Sequence, residues 1–225
     1  METMPVSLIN ACFSTNPLTL PANLAEANAE LEGASATEII TWALGRARNP
    51  VITTNFRPLS AALLHMVTRA CPDIPVIWVD TGYNTPATYR YAEALAKRMQ
   101  LNLRAYTPYV TAARRAAVGG PPATESPQFS RFVHETKLEP FERAFNELQP
   151  DVWFTGVRRE QSEFRSGLGL VSRGAQNTLR VAPVYAWSEQ ALAAYLHANG
   201  ITDNEDYVDP TKPGAKLECG LQLLS

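Results

Sequence analysis

The chain has 225 residues, 45% apolar and 19% charged, and its 20 lysines and arginines face 22 acidic residues for a net charge of −2. This composition excludes a disordered chain, which needs low hydrophobicity and a large net charge. It also argues against a nucleic-acid-binding protein that depends on a basic surface. Cys12, Cys71 and Cys219 are too few for a disulfide framework or for the four thiolates of an all-cysteine metal site. We therefore expect no metal and no iron–sulfur cluster.

The sequence predicts a cytoplasmic protein. No stretch contains the roughly 20 apolar residues that a membrane-spanning helix requires. The first residues include Glu2 and lack the basic region of a secretory signal. Because the cytoplasm keeps thiols reduced, each of the three cysteines could serve there as a nucleophile.

Helical and strand patterns alternate along the chain. The first helices are predicted at residues 21–31 and after a capping box formed by Ser35 and Glu38. Further strands are predicted at 51–54, 74–79, 101–106, 152–155 and 179–184, and further helices at 61–70, 86–99, 139–148 and 188–200. Glycines and prolines predict a mobile loop within 118–129, and the sequence after Ile201 shows little periodicity.

This alternation predicts an α/β fold: a parallel sheet of about five strands with helices on both faces. The expected organisation is one domain, with N-terminal helices at 1–48, an α/β core at 49–200 and a mobile tail at 201–225. In such a sheet the binding crevice lies at the carboxyl ends of the strands. Three polar or glycine-containing turns follow strands and are expected to meet at that edge: 55–60, 80–83 and 156–161.

Two arginines, Arg158 and Arg159, follow the strand predicted at 152–155, and Arg165 lies further along. Guanidinium groups bind phosphate or sulfate through paired hydrogen bonds, and a loop at a strand end directs them toward the crevice. The alternative is a solvated surface pair bridged to Glu160 and Glu163. Adjacent arginines by themselves favour that alternative.

Cys219 lies in a polar, glycine-containing segment at 216–221, where a thiol is hard to bury and Lys216 favours the thiolate. Cysteines are more often buried and inert. The residues alone therefore leave both interpretations open. Cys12 and Cys71 have apolar neighbours, which indicate core packing.

The turn at 55–60 joins a strand to a helix, a place where backbone N–H groups bind anions. This turn has no glycine. Arg57 carries a side chain where close phosphate approach favours glycine, and Pro58 lacks an N–H donor. Local rules therefore predict that the backbone of this turn binds phosphate poorly. The positive charge of Arg57 could offset that weaker binding.

Four segments together resemble the phosphoadenosine phosphosulfate (PAPS) reductase family, a branch of the adenine-nucleotide-binding PP-loop enzymes. They resemble, in order, the first two βα units, the segment that supplies a lysine, the anion-binding arginine motif and the catalytic cysteine signature: 51–95, 137–148, 156–162 and 218–221. Four matches in the family's order make the resemblance specific. It implies that the core at 49–200 binds a nucleotide.

The resemblance implies reduction of PAPS to sulfite and adenosine 3′,5′-bisphosphate, with thioredoxin or glutaredoxin as electron donor and no bound cofactor. Cys219 would attack the sulfonate sulfur and form an S-sulfocysteine, while Arg158 and Lys137 neutralise charge. The tail would close over the nucleotide, and the side helices of the fold are compatible with a homodimer. The implied substrate-binding residues are Asn55, Arg57, Ser60, Asp80, Thr81, Gly82, Arg159 and Glu218.

The sequence departs from the family pattern in nucleotide recognition. Arg57 replaces the phosphate-loop glycine and Asn55 the first serine. Ala186 replaces an aspartate before Trp187, and residues 201–215 lack a histidine and a substrate turn. Two alternatives therefore stay open: a sulfur-transfer enzyme of the same fold with another substrate, and a non-catalytic nucleotide-binding homologue.

Overall fold

The computed structural model describes residues 19–209, which build a six-stranded sheet flanked by helices. The strand order is β3-β2-β1-β4-β6-β5. The strands are β1 (Pro50–Thr54), β2 (Pro75–Val79), β3 (Asn102–Tyr106), β4 (Val152–Phe154), β5 (Val171–Arg173) and β6 (Leu179–Val181). Five strands pair in parallel, which confirms the predicted sheet, and β5 adds an antiparallel edge that was not predicted.

The central strands are apolar because both faces of the sheet are covered. Successive side chains of a strand point to opposite faces. Accordingly, Ile52 and Phe154 belong to one buried cluster, whereas their neighbours Val51 and Trp153 belong to a second. Helices from the N-terminal and C-terminal parts of the chain pack in the first cluster, and Phe141 packs in the second.

Nine α-helices are described within residues 19–209. They are α1 (Leu24–Glu30), α2 (Ala36–Leu44), α3 (Ser60–Ala70), α4 (Pro86–Met99), α5 (Ala112–Val118), α6 (Phe129–Val133), α7 (Glu139–Leu148), α8 (Glu163–Ser166) and α9 (Glu189–Ala198). The capping box of Ser35 and Glu38 is formed as predicted. The short helices α5, α6 and α8 were not predicted, because each is too short to establish a clear period of 3.6 residues. Every helix described is too short or too polar to cross a bilayer.

A π-helical turn, His134–Leu138, joins α6 to α7. It ends two residues before Pro140, the second residue of α7. Proline cannot donate to the carbonyl four residues earlier, and its ring clashes with that carbonyl, so a wider turn relieves the conflict. Lys137 lies in this turn and is 7% exposed.

Residues 201–209, which we call the crossing segment, run over the carboxyl edge of the sheet without forming a helix or strand. Asn204 is buried there and donates through Nδ2 to the carbonyl of Phe56 at 2.7 Å and to Oγ1 of Thr88 at 3.0 Å. Oγ1 of Thr88 donates in turn to the carbonyl of Asp206 at 2.6 Å. Polar contacts, rather than regular structure, hold this segment against the fold.

The crossing segment also caps α3. Leu59, the N-cap residue of α3, has φ of 66° and no side-chain capping bond of its own. Its N–H donates instead to both carboxylate oxygens of Asp203, at 2.8 and 3.0 Å. A carboxylate at the N-terminus of an 11-residue helix satisfies an otherwise unpaired donor and interacts favourably with the helix dipole.

We expect Asp203→Ala to lower the free energy of unfolding by about 1–2 kcal/mol, the scale of a lost helix cap together with a favourable charge at the helix N-terminus. Urea denaturation followed by circular dichroism measures this change. Asp203→Asn keeps a hydrogen-bond acceptor and should lose less. Asp73→Ala removes an exposed carboxylate elsewhere and serves as the control. If Asp203→Ala were as stable as Asp73→Ala, the capping role would be wrong.

Candidate functional site

A cavity of about 180 Å³ lies where β1 and β4 end, at the carboxyl edge of the sheet. Residues of the turn at 55–60 and of the turn after β4 line it together, as predicted from the parallel sheet. The turn at 80–83 does not line it. All three turns follow neighbouring parallel strands and lie at the same edge, as predicted, but two of the three line the cavity.

Four cationic side chains line this cavity: Arg57, Lys137, Arg158 and Arg165. Lys137, Arg158 and Arg165 are buried, with exposures of 7%, 3% and 7%. Among the described residues that line the cavity, Asp209 is the single acid. Burying like charges together is costly unless anions neutralise them, so the cavity is suited to an anionic ligand.

Arg158 is buried and its side chain is held in place by three hydrogen bonds. Nη1 donates to Oε1 of Glu160 and, at 3.3 Å, to the carbonyl of Trp187, and Nη2 donates to Oε1 of Glu189 at 2.8 Å. These bonds use three of the five guanidinium N–H donors, so two are left for a ligand. Arg158 is therefore not the solvated surface residue of the alternative, although the bridge to Glu160 that the alternative predicted is formed.

Arg159, in contrast, is exposed and does not line the cavity. Its backbone N–H donates to the carbonyl of Tyr185 at 2.9 Å. Of the two adjacent arginines, the structure directs Arg158 inward and leaves Arg159 at the surface.

Arg165 also lines the cavity, although the sequence alone does not identify it as a site residue. It lies in the one-turn helix α8, which Ser162 caps by accepting from the Arg165 N–H at 3.3 Å. Its Nη1 donates to Oε1 of Gln161. The serine cap was the signal in the sequence, because it begins a helical turn that brings Arg165 back toward the end of β4.

Arg57 is half-buried at the cavity wall. Burial is the main cause that lowers the pKa of its guanidinium, and the positive charges of Arg165 and Arg158 lower it further. Tyr207 and Glu189 act in the opposite direction. The electrostatic environment of Arg57 is therefore net positive, which an anion in the cavity would neutralise.

The crossing segment reaches into the same site. Nζ of Lys137 lies 2.6 Å from Oδ2 of Asp209, with both side chains about nine-tenths buried. An incoming anion at Lys137 must therefore share this ammonium group with Asp209 or displace Asp209. Nδ2 of Asn55 donates to the hydroxyl of Tyr207, also in the crossing segment, at 2.8 Å.

Ser60 is held within its own turn, where its Oγ donates to the carbonyl of Arg57 at 2.6 Å.

Asp80 organises its own turn. Its Oδ1 accepts from the N–H of Gly82 at 2.9 Å, from Nδ2 of Asn84 at 2.9 Å and from the hydroxyl of Tyr89 at 2.8 Å. Burial, together with this carboxylate, raises the pKa of Tyr89 to about 12. Gly82 has φ of 81°, a conformation that favours glycine. Asp80, Thr81 and Gly82 thus maintain a turn next to the cavity without lining it.

The remaining predicted site residues, Glu218 and Cys219, lie outside the described residues, as does Cys12. Cys71 is fully buried in the core, as its apolar neighbours predicted, and its sulfur is part of a disulfide, which was not predicted. Within residues 19–209, no group of three or more histidines, cysteines, aspartates and glutamates is placed to hold a metal ion.

The parallel sheet and its cationic cavity define an α/β protein with a site suited to an anionic ligand at the carboxyl ends of its strands. Comparisons with known proteins specify the class further. The sequence model of the phosphoadenosine phosphosulfate reductase domain matches residues 49–208. That match covers well over half of the chain, so the chain belongs to the phosphoadenosine phosphosulfate reductase family.

Relatives named phosphoadenosine 5′-phosphosulfate reductase resemble the chain over most of its length. The Synechococcus protein is 34% identical over 92% of this chain and 100% of its own length. The Synechocystis protein is 35% identical over 86% of this chain and 88% of its own. The crystal structure of the phosphoadenylyl-sulfate reductase from Candida auris, a phosphate complex, superimposes with a TM-score of 0.73 at 24% identity, covering 84% of this chain and 92% of that one. This last likeness supports the fold.

Proposed function

We propose that this protein reduces PAPS to sulfite and adenosine 3′,5′-bisphosphate with electrons from thioredoxin or glutaredoxin. The observation that carries the proposal is the cluster of three arginines and a lysine in one cavity at the carboxyl edge of the sheet. A phosphosulfate is a compact, multiply charged anion of the kind that such a cluster binds. Family membership and the names of the relatives specify which anion.

In the first step, the Cys219 thiolate attacks the sulfonate sulfur of PAPS. A sulfur–sulfur bond forms, the bond from sulfur to the bridging oxygen breaks, and its electron pair leaves on the phosphate of adenosine 3′,5′-bisphosphate. Attack of one anion on another requires positive charge nearby, which Arg158 and Lys137 supply from the cavity. The product is an S-sulfocysteine at Cys219.

In the second step, a thiolate of the carrier attacks the Cys219 sulfur, and sulfite leaves with the electron pair of the sulfur–sulfur bond. The second thiol of the carrier, once deprotonated, then displaces Cys219 from the mixed disulfide. The Cys219 thiolate is restored and the carrier is oxidised to a disulfide. Thiol chemistry thus accounts for both electrons, and no bound cofactor takes part in the proposed reaction.

Chain length allows Cys219 to reach the cavity. Asp209 lines the cavity, and Cys219 follows ten residues later. An extended chain of that length spans at most roughly 35 Å. We propose that the tail delivers Cys219 and Glu218 to the anion and closes over the nucleotide. Because the reaction needs reduced thiols, we also propose a cytoplasmic location.

The other proposed substrate contacts follow from the lining of the cavity. Asn55, Arg57 and Ser60 lie at its wall and are suited to contact the phosphosulfate or the nucleotide. The turn of Asp80, Thr81 and Gly82 and the exposed Arg159 lie outside this lining, so we assign them supporting or peripheral roles. A homodimer stays a prediction.

The proposal is tested by incubating the protein with PAPS in the absence of reductant and measuring its intact mass. We expect one sulfonate adduct, located on the peptide that contains Cys219, and sulfite release once reduced thioredoxin is added. Tight nucleotide binding without an adduct or sulfite would contradict the proposal and favour a non-catalytic homologue. An adduct that forms only from another sulfonated donor would favour a different sulfur-transfer reaction.

A further inference from the structure

The backbone N–H groups of residues 56–60, which make up most of the turn at 55–60, donate to acceptors within the protein. The N–H of Phe56 donates to Oγ1 of Thr54 at 3.1 Å, and the N–H of Arg57 donates to Oδ1 of Asn55 at 3.3 Å. Pro58 has no N–H to offer. In the first half of the turn, each main-chain donor is therefore engaged by a side-chain oxygen two residues earlier in the chain.

The second half of the turn is occupied as well. The N–H of Leu59 donates to both carboxylate oxygens of Asp203, and the N–H of Ser60 donates to the carbonyl of Arg57 at 3.1 Å. From residue 56 to residue 60, every backbone N–H present already has an acceptor. A phosphate or sulfate group next to residues 56–60 therefore meets side chains rather than unoccupied backbone N–H groups.

Arg57 supplies the side chain that can do this. Its guanidinium has no hydrogen-bond or ion-pair partner within residues 19–209, although it lines the cavity together with Arg158 and Arg165. An arginine placed beside two other arginines without a carboxylate of its own is stabilised by an anion, which it can bind through two parallel hydrogen bonds.

We propose that the Arg57 guanidinium binds the phosphate or sulfate group of the substrate in place of the backbone N–H groups of the turn. The identity of the substrate rests on the proposed function, whereas anion binding by Arg57 does not. At this position the guanidinium group of Arg57 then binds the anion in place of the main chain. Arg57 is therefore a determinant of affinity for the anionic end of the ligand.

Isothermal titration with adenosine 3′,5′-bisphosphate, and separately with inorganic phosphate, tests this inference on four variants. Arg57→Gln should weaken binding of the nucleotide at least tenfold, and Arg57→Lys should keep part of the affinity through its charge. Arg57→Gly should weaken binding as much as Arg57→Gln, because the neighbouring N–H groups stay occupied. Arg48→Gln, an exposed residue before β1 and so at the opposite edge of the sheet, is the charge-matched control and should bind within twofold of the wild type.

Binding by Arg57→Gly equal to the wild type would overturn the inference, because the backbone would then be the anion cradle. Arg57→Gln binding within twofold of the wild type would overturn it as well, and so would a wild-type protein that binds neither ligand. The proposed function fails separately. A wild type that binds phosphate through Arg57 but forms no sulfonate adduct from PAPS would retain this inference and lose the proposed reaction.

Discussion

Cys219→Ser is expected to release no detectable sulfite from PAPS in the presence of reduced thioredoxin. Serine keeps the shape of the side chain, but its hydroxyl stays protonated at neutral pH and attacks sulfur poorly, whereas a thiolate is both ionised and polarisable. No S-sulfo intermediate can form, and the carrier then has no sulfur–sulfur bond to attack. The measurement is a sulfite assay together with the intact mass after incubation with PAPS.

The same variant should bind adenosine 3′,5′-bisphosphate as tightly as the wild type, because the four cations that line the cavity are on other side chains and are left unchanged. Arg48→Gln changes an exposed residue before β1, at the opposite edge of the sheet, and as the control it should keep sulfite release. Sulfite production that survives in Cys219→Ser would show that another group is the nucleophile. Loss of nucleotide binding would instead show that Cys219 has a structural role.

The sheet could be predicted from the sequence because its strands carry local patterns. β2 and β4 are short apolar runs, as buried parallel strands require, and β1 is a short run of mostly β-branched residues. β5 has one apolar residue in three, Val171, so no alternation identifies it, and it forms by pairing with β6. Tertiary pairing, rather than local propensity, determines that strand.

The candidate site could be predicted only where its residues lie in local sequence patterns. Arg57, Lys137 and Arg158 follow strands or lie in recognisable segments, and the structure brings them into one cavity. The contact of Asp203 with Leu59 joins residues 144 apart in sequence, and no local pattern predicts it. Asp80 was expected at the crevice because it ends a strand, but three local donors engage its carboxylate.

Arg158→Ala is the second variant with a large expected effect. Negative charge develops on the leaving phosphate and on the sulfonate oxygens as the thiolate attacks, and Arg158 lines the cavity with two guanidinium donors to offer. Loss of one such electrostatic donor costs about 2–4 kcal/mol of transition-state stabilisation, which is roughly a 30- to 900-fold loss in kcat/KM. Steady-state sulfite assays measure it, and we expect most of the loss in kcat.

The variant should fold, because the carboxylates that it leaves behind are solvated. The side chains of Glu160 and Glu189 are 45% and 72% exposed, and unpaired acids at such positions cost little stability. Arg158→Lys keeps the charge but lacks the planar fork and should recover only part of the activity. If Arg158→Ala kept a kcat/KM close to that of Arg48→Gln, the guanidinium held by Glu160 and Glu189 would have a structural role and no role in catalysis. Charge neutralisation would then fall to Lys137 and the remaining arginines of the cavity.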